Sequence, residues 1–227
     1  MRSTNMIQLS TDVLVVGAGG AGSRAALEAS RAGAEVLLCS KAPVGKAGAT
    51  AYRIVELAGF NVWNEQSEGS ADDYRTDIIE AGLGMADPKL AGILAEEADG
   101  ERRFLESIGV EFQKLGDEYL SFTGCFASRR RTLILEGHGH AIMRALEKEL
   151  RRSEVSLLEN AMITDLVLID GGIAGAVGID EKGDFFSVQA KSVILCSGGA
   201  GRMFNLNMNP ADVTGDGRAL GYRAGAL

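Results

Sequence analysis

Asp12-Val-Leu-Val-Val-Gly-Ala-Gly-Gly-Ala-Gly22 is the stretch on which the fold turns. Val13 to Val16 is a short apolar run of the length of a buried parallel strand. Gly17, Gly19 and Gly22 follow at the G-x-G-x-x-G spacing of a dinucleotide site. Ala21 to Ala32 then reads as a helix, and Glu35–Cys39 as a second strand, which completes a βαβ unit. In such a unit the first glycine permits a tight turn. The second brings a pyrophosphate close to the backbone, and the third lets the helix pack against the sheet. The helix N-terminus turns free N–H groups and a partial positive charge toward the phosphates.

The rest of the chain bounds the function. Its 227 residues are enough for a substantial core, and thirty glycines against three prolines indicate many tight turns. The net charge of −8 argues against non-specific nucleic-acid binding. No apolar run approaches the roughly 18–20 residues of a membrane span. The first eleven residues carry no apolar segment of the secretory kind. Cys39, Cys125 and Cys196 are odd in number and widely spaced, so they form neither a metal pattern nor a disulfide framework. A cytoplasmic location is the expectation.

Along the chain, the second strand ends in Ser40-Lys41, where NAD enzymes carry an acidic ribose ligand. Lys41 reads either as a partner for a 2′-phosphate, as in NADP, or as a solvated charge. The small residues of 42–50, with Lys46 the one base, permit close approach of a flat ligand or form a mobile surface loop. Ile54 to Phe60 is mixed. Ser70–Gly82 is expected to be a helix capped by Ser70, and Asp87-Pro88 to open another that reaches Gly109, broken or bent at Gly100. Val110–Lys114 reads as extended. Arg129-Arg130-Arg131 reads as a carboxylate receiver or a solvated turn. His138 and His140 stand at the start of a helix over Ala141–Arg152 without the further ligands a metal needs. From Val155 the period changes. Val155–Leu158, Met162–Ile169, Gly172–Ile179, Phe185–Ala190 and Ser192–Cys196 form a small antiparallel meander and a return strand. Ser197–Gly201 and Thr214–Gly217 are a second and a third glycine turn, and a helix beginning at Arg218 is expected to leave Leu220 and Leu227 exposed.

Three glycine turns in this order carry a resemblance. With Ser40-Lys41, Gly48-Ala49-Thr50, Asn209 and Tyr222-Arg-Ala-Gly225, the chain resembles the N-terminal part of the flavoprotein subunits of succinate dehydrogenase and fumarate reductase. L-aspartate oxidase and adenylylsulfate reductase fall in the same group. The resemblance implies an α/β, Rossmann-like FAD/NAD(P)-binding domain with a parallel sheet, inserted helices and a small antiparallel β-meander, and no capping domain. It implies one domain over 1–227 with a helical insertion at 51–131. Gly17, Ala18, Gly19, Gly20, Ala21 and Gly22 would lie on the FAD pyrophosphate, and Ser40 and Lys41 near the adenosine ribose. Lys46, Ala47, Gly48, Ala49 and Thr50 would lie along the flavin, with Met162 and Ile163 facing the adenine. Ser197, Gly198 and Gly199 would pack against the dinucleotide, and Asp216 would hold a ribityl or pyrophosphate-side hydroxyl.

Two departures from the group stand out. Ala49 occupies the place of a histidine that binds FAD covalently in respiratory members, so the expectation here is non-covalent FAD. Ala51–Gly59 replaces a glycine-rich run. The group's substrate motif and proton-donating arginine lie beyond the part matched, so no catalytic residue is assigned. His140 and Arg129–Arg131 are the candidates for the substrate side. The expected function is the FAD-binding portion of an oxidoreductase acting on a dicarboxylate such as fumarate or succinate, incomplete for catalysis alone. The alternatives are a non-catalytic FAD module of a split enzyme, and an NADP-dependent reductase. The partners implied are a chain supplying the capping domain or an iron–sulfur subunit, with weak FAD affinity or self-association where the cap is missing.

Overall fold

A computed structural model of the chain describes residues 6–52 and 59–226. Part of the Ile54–Phe60 stretch, part of the Ala51–Gly59 replacement and Leu227 lie outside the described residues. In chain order the main elements are β1 (Ile7–Val16), α1 (Gly20–Arg31), β2 (Val36–Cys39), β3 (Gly59–Asn61), α2 (Ala71–Ala81), α3 (Pro88–Ser107), β4 (Lys114–Leu115), β5 (Glu118–Tyr119), β6 (Ser121–Phe122), β7 (Thr132–Ile134), α4 (His138–Leu150), β8 (Ser156–Leu158), β9 (Ala161–Ile169), β10 (Gly172–Asp180), β11 (Phe185–Leu195) and α5 (Asp216–Arg223). The chain divides into two compact units, Met1–Ile54 with Leu146–Leu227, and Val55–Ala145.

The first unit is built on a six-stranded sheet in the order β8-β2-β1-β11-β10-β9. The first four strands are parallel, and β10 and β9 continue the sheet antiparallel. β2 is buried along its whole length, as a central parallel strand requires. Phe185–Ala190 and Ser192–Cys196 are not two runs but one strand, β11, which lies beside β1 from Phe186 to Leu195 and closes the meander against β10 with its first half. Lys191 does not interrupt it, because its ammonium meets Asp12 on the neighbouring strand at 2.5 Å. β1 begins at Ile7, six residues before the apolar run. Its first residues, Ile7-Gln-Leu-Ser10, are mostly exposed and lie outside the continuous apolar run, with Leu9 packed against the core. The β9–β10 turn has Asp170 and Gly171 both at positive φ, the conformation of a two-residue hairpin. The core joins Leu14, Val16, Leu37, Cys39, Ile163, Phe186 and Val188 to Leu220 of α5. Leu220 is therefore not exposed: α5 begins at Asp216, two residues early, and turns this side chain inward, leaving it 2% exposed.

The second unit is not purely helical, and it runs to Ala145 where the sequence placed its end at 131. Beside α2, α3 and the start of α4 it carries a three-stranded antiparallel sheet, β3-β7-β6, and the β4–β5 hairpin. Ser70 and Asp73 form a reciprocal capping box on α2, and Asp87 caps α3 ahead of Pro88. α3 passes Gly100 unbroken. Arg102 and Arg103 both pair with Asp99, at 2.7 and 2.8 Å, and these one-turn contacts span the glycine. The core of this unit gathers Val62, Tyr74, Ala95, Leu105, Phe112, Leu133 and Leu135. Among the described residues no helix is long and apolar enough to cross a membrane.

Candidate functional site

In an open α/β sheet, ligands bind outside the carboxyl ends of the strands. β1, β11 and β2 end side by side, and the glycine turns that follow β1 and β11 interlock. The Gly17 N–H donates to the Cys39 carbonyl at 2.8 Å, and the residue turns at φ +104°. A Cβ on Gly17 would overlap the Cys196 carbonyl, and one on Gly22 would overlap the Gly17 carbonyl. The third motif packs on the second in the same way. The Gly215 N–H donates to the Gly199 carbonyl at 3.1 Å, and a Cβ on Gly217 would overlap the Ser197 hydroxyl. The first motif thus needs Gly17 where the end of β11 passes, and the third needs Gly217 where Ser197 of the second passes.

Gly19 and Gly198 differ: a Cβ on either would meet no atom of the described residues within 4 Å. Both line a cleft with about 940 Å³ of empty space, part of it open to solvent. The structure brings Gly17–Ala21, Ser40–Lys41, Ala47–Thr50, Met162–Ile163, Ser197–Gly198 and Asp216 to the same cleft. Three of the sequence's candidates are not on its wall. Gly22 is under the turn, Gly199 packs against Val213, and Lys46 lines an adjoining cavity with Tyr52 and Pro210. Val16, Cys39, Ala161, Cys196, Asp212, Val213 and Leu220 also line the cleft without having been anticipated. The strand-end rule was available for Val16, Cys39 and Cys196. Asp212 carried no signal at all.

One part of the cleft wall suits a phosphate. Gly19 caps α1 without a side-chain hydrogen bond, and no acid stands in the first turn. Of the N–H groups that a helix leaves without partners, those of Gly20 and Ala21 belong to residues of the cleft wall. Room at Gly19 and Gly198 that no described residue claims fits the same reading. Lys41 is exposed but paired: its ammonium is 2.5 Å from the Asp216 carboxylate, 2.9 Å from the Thr214 hydroxyl and 2.8 Å from the Asp212 carbonyl. Ser40 joins β8 and β9 through its backbone, its N–H donating to the Leu158 carbonyl and its carbonyl accepting from the Ala161 N–H, both at 2.9 Å.

Neither thiol on the cleft wall is poised to react. Burial pushes the Cys39 thiol up to about 12, and it also raises Cys196. Both stay protonated at neutral pH, whereas Cys125 is exposed. Brief treatment of the native protein with iodoacetamide is expected to label Cys125 alone, with Cys39 and Cys196 reacting only after denaturation. Peptide mass mapping reads the outcome, and early label on Cys39 would contradict the buried position.

The substrate-side candidates lie in the second unit. Arg131 is 2% exposed and paired with Asp77, so it is not part of a solvated turn, while Arg129 and Arg130 are exposed. His138 opens α4, with His140 in its first turn. Among the described residues no group of histidine, cysteine and carboxylate side chains could hold a metal ion.

Comparison with known proteins agrees with this geometry. The FAD binding domain family matches residues 12–227. One subunit of the CoM/CoB fumarate reductase of Methanothermobacter marburgensis is 33% identical over 220 residues, which are 95% of this chain and 40% of that protein. The L-aspartate oxidase of Streptomyces coelicolor is 32% identical over 227 residues, 96% of this chain and 38% of its own. The solved Sdh1 complex of Mycobacterium smegmatis superimposes with a TM-score of 0.85 at 30% identity, covering 97% of this chain and 39% of the other. The chain spans about two-fifths of the length of the curated relatives it matches.

Proposed function

The chain belongs to the FAD binding domain family of the succinate dehydrogenase and fumarate reductase type, and from that premise we propose that residues 1–227 form the cofactor-holding part of a flavoprotein oxidoreductase acting on a small dicarboxylate. The observation that carries the reading is the convergence of three interlocked glycine turns on one cleft, with Gly19 bare toward it. Bound FAD supplies hydride and electron transfer. The chain's own residues hold the cofactor. The α1 N-terminus receives the pyrophosphate, Ser40 and Met162–Ile163 flank the adenosine end, and Ala47–Thr50 lie along the flavin. Asp216 accepts from a cofactor hydroxyl while remaining paired with Lys41. That pairing also disfavours an NADP reductase, because a 2′-phosphate would have to displace a carboxylate already 2.5 Å from the ammonium.

Attachment is non-covalent in this proposal, since Ala49 presents only a methyl group to the flavin side. The proton donor for the dicarboxylate comes from polypeptide outside these residues. That polypeptide is a continuation of the same chain or, in the second reading, a separate partner such as a capping or iron–sulfur subunit. Purified 1–227 is expected to quench added FAD fluorescence to saturation, to release all its flavin into the supernatant on acid precipitation, and to show no fumarate-dependent oxidation of a reduced viologen dye. Absence of quenching overturns the FAD site, flavin on the precipitate overturns non-covalent attachment, and turnover by this chain alone overturns the need for further polypeptide.

A further inference from the structure

Asp212 does more in the structure than its place before the third glycine turn suggests. Its carboxylate Oδ2 accepts the Gly48 N–H at 2.7 Å, across 164 residues of sequence, and its carbonyl accepts the Lys41 ammonium at 2.8 Å. One residue thus ties the 46–50 loop and the end of β2 to the turn ahead of α5. Gly48 stands at φ +84°, a left-handed conformation, and caps the short helical turn Ala49–Ala51. A backbone in that region holds its shape through its hydrogen bonds, because no side chain restricts it. Ala47, Gly48 and Asp212 line both the main cleft and the cavity beside it, so the Gly48–Asp212 bond lies on the wall that the two share. Beyond this wall, the loop reaches the helix that faces the phosphates. A Cβ on Gly20 would stand 3.1 Å from the Thr50 hydroxyl.

We propose that Asp212 is a positioning residue for the cofactor: by holding Gly48 it fixes the wall along which the flavin lies. The inference rests on the FAD reading of the cleft. It also makes a choice between the two properties of a carboxylate. The useful property is the acceptor oxygen. The negative charge is a burden, because the cleft wall already carries the Asp216 carboxylate beside Lys41, the one cation among its described residues, and must take a diphosphate.

Two substitutions separate the acceptor from the charge. Asp212→Asn keeps an oxygen for the Gly48 N–H and removes the charge, so it is expected to bind FAD at least as tightly as the wild type. Asp212→Ala removes both and is expected to bind FAD about tenfold more weakly, the ordinary loss for a hydrogen bond to a charged acceptor. Without FAD, the Gly48 amide should exchange its hydrogen about tenfold faster in the alanine variant and unchanged in the asparagine variant, read by NMR. Thermal unfolding of both variants checks that the fold is kept. If the wild type and Asp212→Ala bind FAD equally, the positioning role fails while the FAD site stands. If the asparagine variant is as weak as alanine, the charge and not the bond is what acts, and the proposal fails. If the wild type itself does not bind FAD, both readings fall, and unchanged Gly48 exchange in Asp212→Ala would remove even the structural tie.

Discussion

Gly22→Ala is expected to destabilise the first unit by about 3 kcal/mol or more, whereas Gly19→Ala is expected to leave stability within about 1 kcal/mol of wild type and to fail only in FAD binding. The two glycines belong to one motif and differ by three positions, yet the structure gives their side-chain space to different owners. A methyl on Gly22 would overlap the Gly17 carbonyl and press on the Cys196 side chain, both parts of the packed strand ends. Neither neighbour is the free end of a flexible chain, so relief requires moving backbone at the centre of the sheet. Overpacking of a core by a methyl group typically costs about 1–3 kcal/mol where side chains can shift, and a backbone overlap lies at or past the upper end. Against a total stability of about 5–15 kcal/mol for a domain, that is a large share. A methyl on Gly19 meets no atom of the described residues, and its backbone, at φ −73°, suits alanine. It projects into the cleft where the pyrophosphate would approach the helix. Urea denaturation of the two variants, with FAD titration of the folded one, tests both halves. Equal stability for Gly22→Ala and wild type, or undiminished FAD affinity for Gly19→Ala, would show that the two spaces are not divided in this way.

This division explains why so much of the first unit was legible in the sequence. A glycine fingerprint reports local necessity: a tight turn, a helix packed close, an opening for a phosphate. Each is readable within about ten residues, and the βαβ unit and the meander follow from short-range periodicity. What was not legible depends on pairing across long sequence separations. Lys41 looked ambiguous between a phosphate partner and a solvated charge because its acceptors lie at 212–216. Asp212 carried no signal because the N–H it accepts belongs to Gly48, 164 residues away. Leu220 looked exposed because a short helix near the end of a sequence gives no sign of which face meets the sheet; it packs into the same core as Leu14 and Val16. Gly100 looked like a helix breaker because propensity alone counts against it, and Asp99, paired across it with Arg102 and Arg103, reversed the balance. The β-structure of the second unit was hidden for a simpler reason. Strands of two or three residues are too short to show an alternation.

The second unit has its own critical pair. Asp77→Ala is expected to destabilise the protein by about 3–5 kcal/mol, the usual cost of leaving a buried charge without its partner. Arg131 is 2% exposed and Asp77 8% exposed. The Asp77 Oδ2 accepts the Ser128 N–H at 2.8 Å, the Ser128 hydroxyl at 3.0 Å and the Arg131 Nη2. The guanidinium lies over the Tyr74 ring, 4.5 Å from its centroid, and its buried Nε and Nη1 have no hydrogen-bond partner among the described residues. Asp77 is therefore what makes burial of this cation tolerable, and alanine would leave it facing a ring and little else. The double variant Asp77→Leu/Arg131→Met should recover most of the loss, because a buried ion pair exchanged for apolar groups of similar volume is often neutral. The same pair predicts a pH dependence. Burial alone would raise the Asp77 carboxyl, but the Ser128 N–H, the Arg131 guanidinium and the Ser128 hydroxyl together hold it below its ordinary value. A depressed carboxyl gives stability that is fully present above its unfolded value, near pH 4, and is lost as the pH falls through the lower folded value. The stability gap between wild type and Asp77→Ala should thus be constant from about pH 6 to 8 and narrow at about pH 3. Urea unfolding at those pH values measures it, and a gap that widens in acid would mean that the carboxyl is not held in its charged form by these neighbours.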